Sequence, residues 1–581
     1  MTPSTQPEIE RKYEVPAGAE PVWADLPRLR VEPEPTVRSL EATYYDTAAG
    51  SLADFGLALR RRRGGPDEGW HLKFRADGVK HEVHVPLLRT ADRLPAQMRQ
   101  LISGLLEAQP LEPLAVLRNE RQVLQVHDPD HGRVAEICLD DVRGTESATG
   151  ITRVWQEHEV ELVNGTDADP QAVFDEIETV LLASGLRPSA SAAKIARTLG
   201  AEDDAEAVTV LGPDGEQLSG SGEDDSSDDH GGQASSKSKK QKKGKKDGGG
   251  KSSKNQSKKA KKSSKDKVKK AEKAELSRAE EAPAPEPSTE QIVQSALVEA
   301  VRQIQWLDFL VRVGAEHAVH GLRRAARGCE ALLIGLGPDL ADPQAAAEAA
   351  QIVREMSQEL SALRDAEVVE QLLPLRAQDA GAALSRSAAA HLMTMAREAR
   401  EAQAATARRR LLSNAHQESL RALAEMLGRA RLSDSAAEHT PKKLGSRMTE
   451  RWLDSVRDLG PVPAATVELD DVLVHVHAVR RALRLLSFGA ELFEVTSLRA
   501  RKSQASILPI AKGYLETCGD LMDCRVMEAW YASAARSLAR KGGDRYGVGI
   551  LHGREQALLE ASSEDSVLIL EELFDQLEGQ D

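Results

Sequence analysis

Two periodicities divide this chain. Up to about Leu199, short segments alternate apolar and polar residues with a period of two: EIERKYEV, LALRRRR, WHLKFR, KHEVHVPL, RQVLQV, RVAEICLDDV and WQEHEVELV. Such alternation, punctuated by Gly, Pro and Asp, predicts antiparallel strands. Many short strands in so short a stretch predict a barrel or a sandwich. Pro170 to Leu182 has helical spacing and reads as a flanking helix. From Gln291 onward the period changes to that of a helix, about 3.6 residues. Turn signals such as Gly335-Leu336-Gly337-Pro338 and Gly460-Pro461-Val462-Pro463 interrupt it, so an all-helical domain is expected there.

Between these regions large apolar residues almost vanish. The stretch opens acidic (Glu223, Asp224, Asp225, Asp228, Asp229) and becomes a Lys/Ser/Gly tract from Lys237 to Lys273. No core can offset the entropy of ordering it, so a disordered linker is expected. The expected domains are therefore 1–200, a linker over 201–288, and a helical domain over 289–581.

Charge narrows the classes. The formal net charge is -15, from 77 Lys+Arg against 92 Asp+Glu, which argues against a uniform nucleic-acid binder. The lysine tract leaves contact with nucleic acid or polyphosphate open. It carries no aromatic residue for stacking on bases, and a soluble spacer is the plainer reading. Cys138, Cys329, Cys518 and Cys524 form no CxxC or zinc-ligand pattern, as expected of a reducing compartment. Met1 to Arg11 has no apolar leader, and no apolar run of about 18 residues is present. A soluble, cytoplasmic protein without a membrane partner is expected.

The charged strand faces carry the candidate chemistry. Glu8, Glu10 and Lys12 sit at period two, so they share one face of a strand. Arg60 with Arg62, Lys73 with Arg75, and Lys80 with Glu82 and His84 repeat that spacing on later strands. Glu136 and Asp140 flank Cys138, and Glu157, Glu159 and Glu161 share another face. Faces carrying only charge cannot form a dry core. Either they meet water, or the barrel is a polar tunnel. A tunnel with both signs of charge suits a triphosphate: cations bind its oxygens, and carboxylates hold the hard divalent ions that bridge them.

Glu8-Ile9-Glu10-Arg11-Lys12 resembles the ExExK signature of the CYTH, or triphosphate tunnel metalloenzyme, superfamily. The order of later segments is similar too: Thr43 to Thr47, Leu59 to Arg62, Gly69 to Lys73, Lys80 with Glu82, Asp140, Glu157 to Glu161, and Ser191 to Arg197. The resemblance implies an antiparallel tunnel of eight strands that hydrolyses triphosphates or, in one branch, cyclises adenylate. It implies Mg²⁺ or Mn²⁺ on Glu8, Glu10, Asp140, Glu159 and Glu161. It implies phosphate on Lys12, Arg60, Arg62, Lys73, Lys80, Arg121 and Lys194, with Glu8, Glu10, Lys12 and Lys73 at the reacting centre. Two positions depart from the pattern: His71 stands where a small hydroxyl residue is common, and Asn119 where a lysine often stands.

The helical region contains an internal repeat. His320, Arg323 and Arg327 fall on one helical face, and His477, Arg480 and Arg484 repeat the spacing. Leu363, Asp365 and Val368 follow the first set; Leu521, Asp523 and Val526 follow the second. The histidines are 157 residues apart and the aspartates 158, which marks a duplication. This pattern resembles the CHAD domain (conserved histidine α-helical domain). The resemblance implies two related four-helix bundles whose six His and Arg side chains bind polyphosphate. Gly328, Glu330, Leu485 and Ser487 replace arginines common in that family, and Lys442, Lys443, Arg447 and Arg501 are candidates to compensate. Binding is expected to strengthen as pH falls through about 6.5, the ordinary histidine value.

Two functions remain open. One is metal-dependent hydrolysis of triphosphate or polyphosphate, with the helical domain holding substrate. The other is a non-catalytic polyphosphate-binding adaptor that localises to polyphosphate granules. Adenylate cyclisation is a weaker third reading, since no base-recognition pattern is evident.

Overall fold

The computed structural model describes residues 4–16, 18–76, 78–87, 93–106, 109–163, 166–189, 193–200, 208–217, 287–315, 318–463, 468–499, 508–541 and 545–578. The first part is built on strands β1 (Ser4–Glu8), β2 (Glu10–Glu14), β3 (Arg30–Val31), β4 (Thr36–Asp46), β5 (Ala58–Arg63), β6 (Gly69–Ala76), β7 (Val79–Pro86), β8 (Glu112–Asp128), β9 (Gly132–Glu146), β10 (Thr152–Leu162), β11 (Arg187–Pro188) and β12 (Thr209–Leu211). Its helices are α1 (Ser51–Asp54), α2 (Ala96–Ile102), α3 (Pro170–Ala183) and α4 (Lys194–Thr198).

The pairing order is β1-β7-β6-β5-β4-β8-β9-β10-β2-β11, all antiparallel. β1 and β2 are one strand interrupted at Ile9. The first half pairs with β7 and the second with β10, which closes the sheet on itself. The expected tunnel of eight long strands is therefore present: β1 with β2, then β4 to β10. The short β3, β11 and β12 are additions at its margins. Period two decides the lining. Along β6, His71 and Lys73 face inward, while Leu72 and Phe74 are buried on the outer face.

The outer face is covered in two places. α3 buries Val173, Phe174, Ile177 and Leu181 against Tyr13, Val126, Ile137 and Val160 of β2, β8, β9 and β10. Its start follows from Asp169, whose carboxylate accepts from the Gln171 amide, with Pro170 in the first turn. On the opposite side Leu59, Leu72, Phe74, Val83 and Val85 of β5, β6 and β7 join Met98 and Ile102 of α2 in a larger core.

The second part contains α5 (Thr289–Val313), α6 (Ala318–Leu336), α7 (Pro343–Glu359), α8 (Ser361–Ala380), α9 (Arg386–Leu411), α10 (Asn414–Arg429), α11 (Asp434–Ala437), α12 (Pro441–Arg457), α13 (Leu469–Val495), α14 (Leu508–Lys541) and α15 (Tyr546–Glu578). The repeat-bearing helices α6 and α13 pack on each other. The fully buried Trp452 of α12 fixes how closely they approach it. Its indole donates to the Ala331 carbonyl at 2.9 Å. A Cβ on Gly335 of α6 would lie 2.8 Å from that ring, and one on Gly489 of α13 2.1 Å, so only glycine fits at either place.

One expectation changes. The linker was expected to begin at residue 201, but Thr209–Leu211 pair with Val154, Arg153 and Thr152 of β10. Val208, Val210 and Leu211 alternate weakly in an otherwise polar run, and β10 offered a free partner edge. The remainder of the expected linker, 218–286, lies outside the described residues. No described helix is long and apolar enough to cross a membrane.

Candidate phosphate tunnel and basic helical patch

Register brings the charged faces together. Across β2 and β10, Glu10 stands opposite Glu161, Lys12 opposite Glu159, and Glu14 opposite Glu157. Across β9 and β10, Asp140 stands opposite Glu157. Arg121 of β8 stands opposite Asp140.

Around Glu159 the described charges are paired. Arg121 grips Asp140 with two hydrogen bonds, of 2.7 and 2.6 Å, and also contacts Glu159. Lys12 donates to Glu159 and has Glu10 at 3.6 Å. Lys194 projects from α4 with its ammonium 3.0 Å from Asp140, 2.5 Å from Glu157 and 2.7 Å from Glu159. Burial by itself would lower the Lys194 value. The carboxylates of Glu157, Glu159 and Asp140 outweigh it and hold the value well above the ordinary one. Burial would likewise raise Glu159, but Lys12, Lys194 and Arg121 drive it well below the usual carboxylate range. Ligand oxygens of Asp140, Glu157 and Glu159 lie within 4.8 Å of one another, close enough to share one metal ion.

The other wall gathers around Glu82. Lys73 lies 2.5 Å from Glu8 and 3.8 Å from Glu82. Arg60 is 3.5 Å from Glu82 and donates to the Tyr44 hydroxyl at 3.3 Å. The buried His71 places Nδ1 3.0 Å from Glu82 and Nε2 3.0 Å from the Asp67 carbonyl. Burial, the largest effect, pulls His71 down to about 4. Arg62 pairs with Asp67, and Lys80 lies 2.7 Å from Glu10. Burial and the neighbouring Arg60 lower Arg62 to about 10.

Among the described residues the carboxylates close enough to share a divalent cation are those of Asp140, Glu157 and Glu159. Glu8, Glu10 and Glu161 form a further acidic face, on which Glu10 stands opposite Glu161. Glu8 Oε2 is buried without a hydrogen-bond partner. Among the described residues Glu161 makes no ion pair, and burial, then Glu8, push its carboxyl up to about 7. Glu8 and Glu10 are paired with Lys73 and Lys80, so Glu161 is the carboxylate of this face with no ion pair among the described residues, and carboxylate oxygens are the donors a hard metal ion takes.

In the helical part, α6 and α13 bring both repeat faces to one place. Burial, then Arg323 and Arg480, lower Arg327 to about 10; burial, then Arg480, Arg327 and Arg323, lower Arg484 to about 9. Cations of the two repeats thus crowd one another. His320 lies among Arg364, Arg324, Arg323 and Arg484, and His477 among Arg481, Arg480, Arg525 and Arg327. Burial first and these arginines second hold both histidines below their ordinary value. Of the candidate compensating residues, Arg447 is committed to Asp339 at 2.8 Å, and Arg501 lies outside the described residues.

The tunnel walls carry Glu8, Glu10, Lys12, Arg60, Arg62, Lys73, Lys80, Arg121, Asp140, Glu159, Glu161 and Lys194, whereas Arg75 is exposed and Glu136 accepts from Gln125. Three roles escaped the sequence reading. Glu157 joins the acidic cluster, although its spacing with Glu159 and Glu161 had put it on the same face. Glu82 is the hub of the opposite wall. Arg197, the last residue of the Ser191 to Arg197 segment, is buried beside Glu14, with Glu157 at 3.9 Å and its guanidinium 5.5 Å from the Trp155 ring; the segment had marked its place but not this role.

The CYTH domain family matches residues 6–197, and the CHAD domain family matches residues 295–532. Two uncharacterised proteins of Mycobacterium tuberculosis are each 33% identical to this chain over 212 residues, covering 34% of this chain and 41% of the relative. The chain thus spans about two fifths of the length of these curated relatives. Among solved structures, PptA from Streptomyces chartreusis is similar at 21% identity, over 49% of this chain and 97% of that one, with a TM-score of 0.36. The CHAD domain of Ricinus communis is similar at 17% identity, over 49% and 95%, with a TM-score of 0.33. A Hippeastrum structure described as revealing a dominant triphosphatase activity is similar at 21% identity, over 34% and 98%, with a TM-score of 0.23.

Proposed function

We propose that this chain, in which a CYTH domain is followed by a CHAD domain, hydrolyses inorganic triphosphate or polyphosphate in the tunnel and holds longer chains on its helical domain. One observation carries the reading. A closed tunnel presents Lys73, Arg60, Arg62 and Lys80 on one wall, with the carboxylates of Glu8, Glu10 and Glu161 beside them and the buried cluster of Asp140, Glu157 and Glu159 across from them.

On this reading Arg60, Arg62, Lys73 and Lys80 exchange internal carboxylates for phosphate oxygens. Arg60 and Arg62 hold a phosphate in plane, and Lys73 and Lys80 act as point charges. Glu8, Glu10 and Glu161 hold Mg²⁺ or Mn²⁺, with the Asp140, Glu157 and Glu159 cluster as a second acidic position. A bound divalent ion supplies Lewis-acid stabilisation of charge on the phosphate oxygens. Lys12 and Lys194, kept fully charged by their carboxylates, add fixed positive charge where negative charge develops. On the helical domain the six side chains His320, Arg323, Arg327, His477, Arg480 and Arg484 provide the polyanion surface.

The adaptor reading is favoured by a different observation. Lys12, Lys73, Lys80, Arg121 and Lys194 all have carboxylate partners already. Phosphate release from tripolyphosphate and from long-chain polyphosphate, with Mg²⁺ or Mn²⁺ and with excess chelator, separates the two. Metal-dependent release that is lost in Glu10→Ala supports hydrolysis. Polyphosphate binding without any release supports the adaptor.

A further inference from the structure

The two walls of the tunnel are supported differently. Behind β2, β8, β9 and β10 lies α3, a helix of the tunnel's own domain. Behind β5, β6 and β7 the described residues of the same domain supply α2 and the single turn α1, and the core continues into α5 of the helical domain.

α5 meets this wall with one stripe of side chains: Arg302, Gln305, Trp306, Phe309 and Arg312. Trp306 lies over Phe55, with ring centroids 6.5 Å apart and planes 12° from parallel, and meets Phe74 edge-on at 6.4 Å. Phe309 meets Phe74 edge-on at 5.1 Å. Arg302 donates to the Asp54 carbonyl at 2.7 Å, with its guanidinium 4.9 Å from the Phe55 ring centroid. Gln305 donates to the Gly104 carbonyl at 3.0 Å. Arg312 donates to the Gln100 carbonyl at 2.8 Å and the Ser103 hydroxyl at 3.1 Å, which satisfies the C-terminal end of α2. Asp308 orients Arg312 from 2.5 Å and is itself bonded to His416 of α10 at 2.9 Å. All three are buried. A Cβ on Gly104 would lie 3.5 Å from both Asp308 and Arg312, so the approach is close.

Phe74 is the chain neighbour of Lys73. One points out to Trp306 and Phe309; the other points in to Glu8 and Glu82. We propose that the helical domain is the outer support of the phosphate-facing wall, and that Trp306 and Phe309 are positioning residues for Lys73 and, through β5 and β7, for Arg60, Arg62 and Lys80. The sheet closes through its own strands, but this wall is fully backed only with α5 docked. The effect on turnover rests on the function proposed above; the effect on the wall does not.

The test uses the full chain. Trp306→Ala is compared with Trp306→Phe, which keeps an aromatic ring against Phe55 and Phe74, and with Leu568→Ala, an exposed site on α15. Amide exchange over 58–63, 69–76 and 79–86 is measured by mass spectrometry, and tripolyphosphate kcat and KM are measured with Mg²⁺. Trp306→Ala is expected to speed exchange in these strands at least tenfold, leave α3 unchanged, and lower kcat about tenfold. Trp306→Phe is expected to restore most of both. Unchanged exchange overturns the proposal. So does faster exchange with kcat and KM both unchanged, because the wall would then move without moving the cations. If the wild type releases no phosphate, the hydrolytic reading fails alone, and tripolyphosphate affinity by calorimetry replaces kcat as the readout. If Trp306→Ala does not fold, Gln305→Ala, which removes one hydrogen bond to Gly104, takes its place.

Discussion

Lys194 reaches Glu159 at 2.7 Å, joining the single-turn helix α4 to the middle of β10. Glu159 also receives Lys12 and Arg121, so one carboxylate ties together β2, β8, β10 and the closing helix. A buried charge shared in this way is costly to remove, because each cation left behind loses part of its compensation.

Glu159→Gln is therefore expected to lower stability by about 3 kcal/mol or more. It is also expected to reduce tripolyphosphate hydrolysis at least about a hundredfold, since a carboxylate ligand of the second acidic position is lost and Lys12 and Lys194 lose the partner that positions them. Denaturant unfolding and phosphate release measure the two effects separately. A variant with wild-type stability and turnover would show that this cluster neither holds the tunnel together nor serves its chemistry.

Arg484 should show a conflict between stability and binding. Burial and three neighbouring arginines disfavour its charge. Arg484→Gln relieves that repulsion and is expected to raise stability by about 1 kcal/mol, or roughly 2–4 °C in Tm. Polyphosphate affinity should fall, and its log–log dependence on salt should become shallower by about one, the change expected when one fewer phosphate is neutralised. Calorimetry at several salt concentrations and thermal unfolding provide both readings.

The pH response of polyphosphate binding should lie lower than the ordinary histidine value suggests. Burial and surrounding arginines hold His320 and His477 below 6.5 in the free protein. A polyanion favours the protonated rings, so affinity rises as pH falls, and the gain continues below pH 6.5 until the free histidines are protonated. Titration between pH 8 and pH 5 should show affinity still rising at the acid end. In the double variant His320→Gln/His477→Gln that rise should largely disappear.

His416 makes the opposite contribution, to stability. Burial lowers its value, but the bonds to Asp308 and Glu359 outweigh burial and the repulsion of Arg312, and the net shift is upward from 6.5. A value raised by folding stabilises the native state below the unfolded value, and that stabilisation is lost as pH rises through the folded value. Wild-type Tm should therefore fall relative to His416→Gln between pH 6.5 and pH 9. Parallel Tm curves for the two proteins would remove the charged histidine from this junction.

Strand periodicity, charge spacing and duplication determined a good deal here. A period of two cannot place Glu8, Glu10 and Lys12 anywhere except one face of a strand, and two helices repeating His-x-x-Arg-x-x-x-Arg must each gather those groups on one side. Which faces would meet was beyond the sequence. That Glu157 joins Asp140 depends on the register between β9 and β10, and the crowding of Arg327 with Arg480 and Arg484 depends on how α6 packs on α13. β12 was invisible because a three-residue strand gains its stability from a partner edge rather than from its own composition. The junction was invisible for a related reason. Phe74 lies in a strand and Trp306 in a helix of different domains, and only folding shows that they pack on one another across more than 200 residues of chain. Local pattern fixes which side of an element is apolar or charged; the partner that covers it is decided by long-range packing, in which shape and register matter and sequence distance does not.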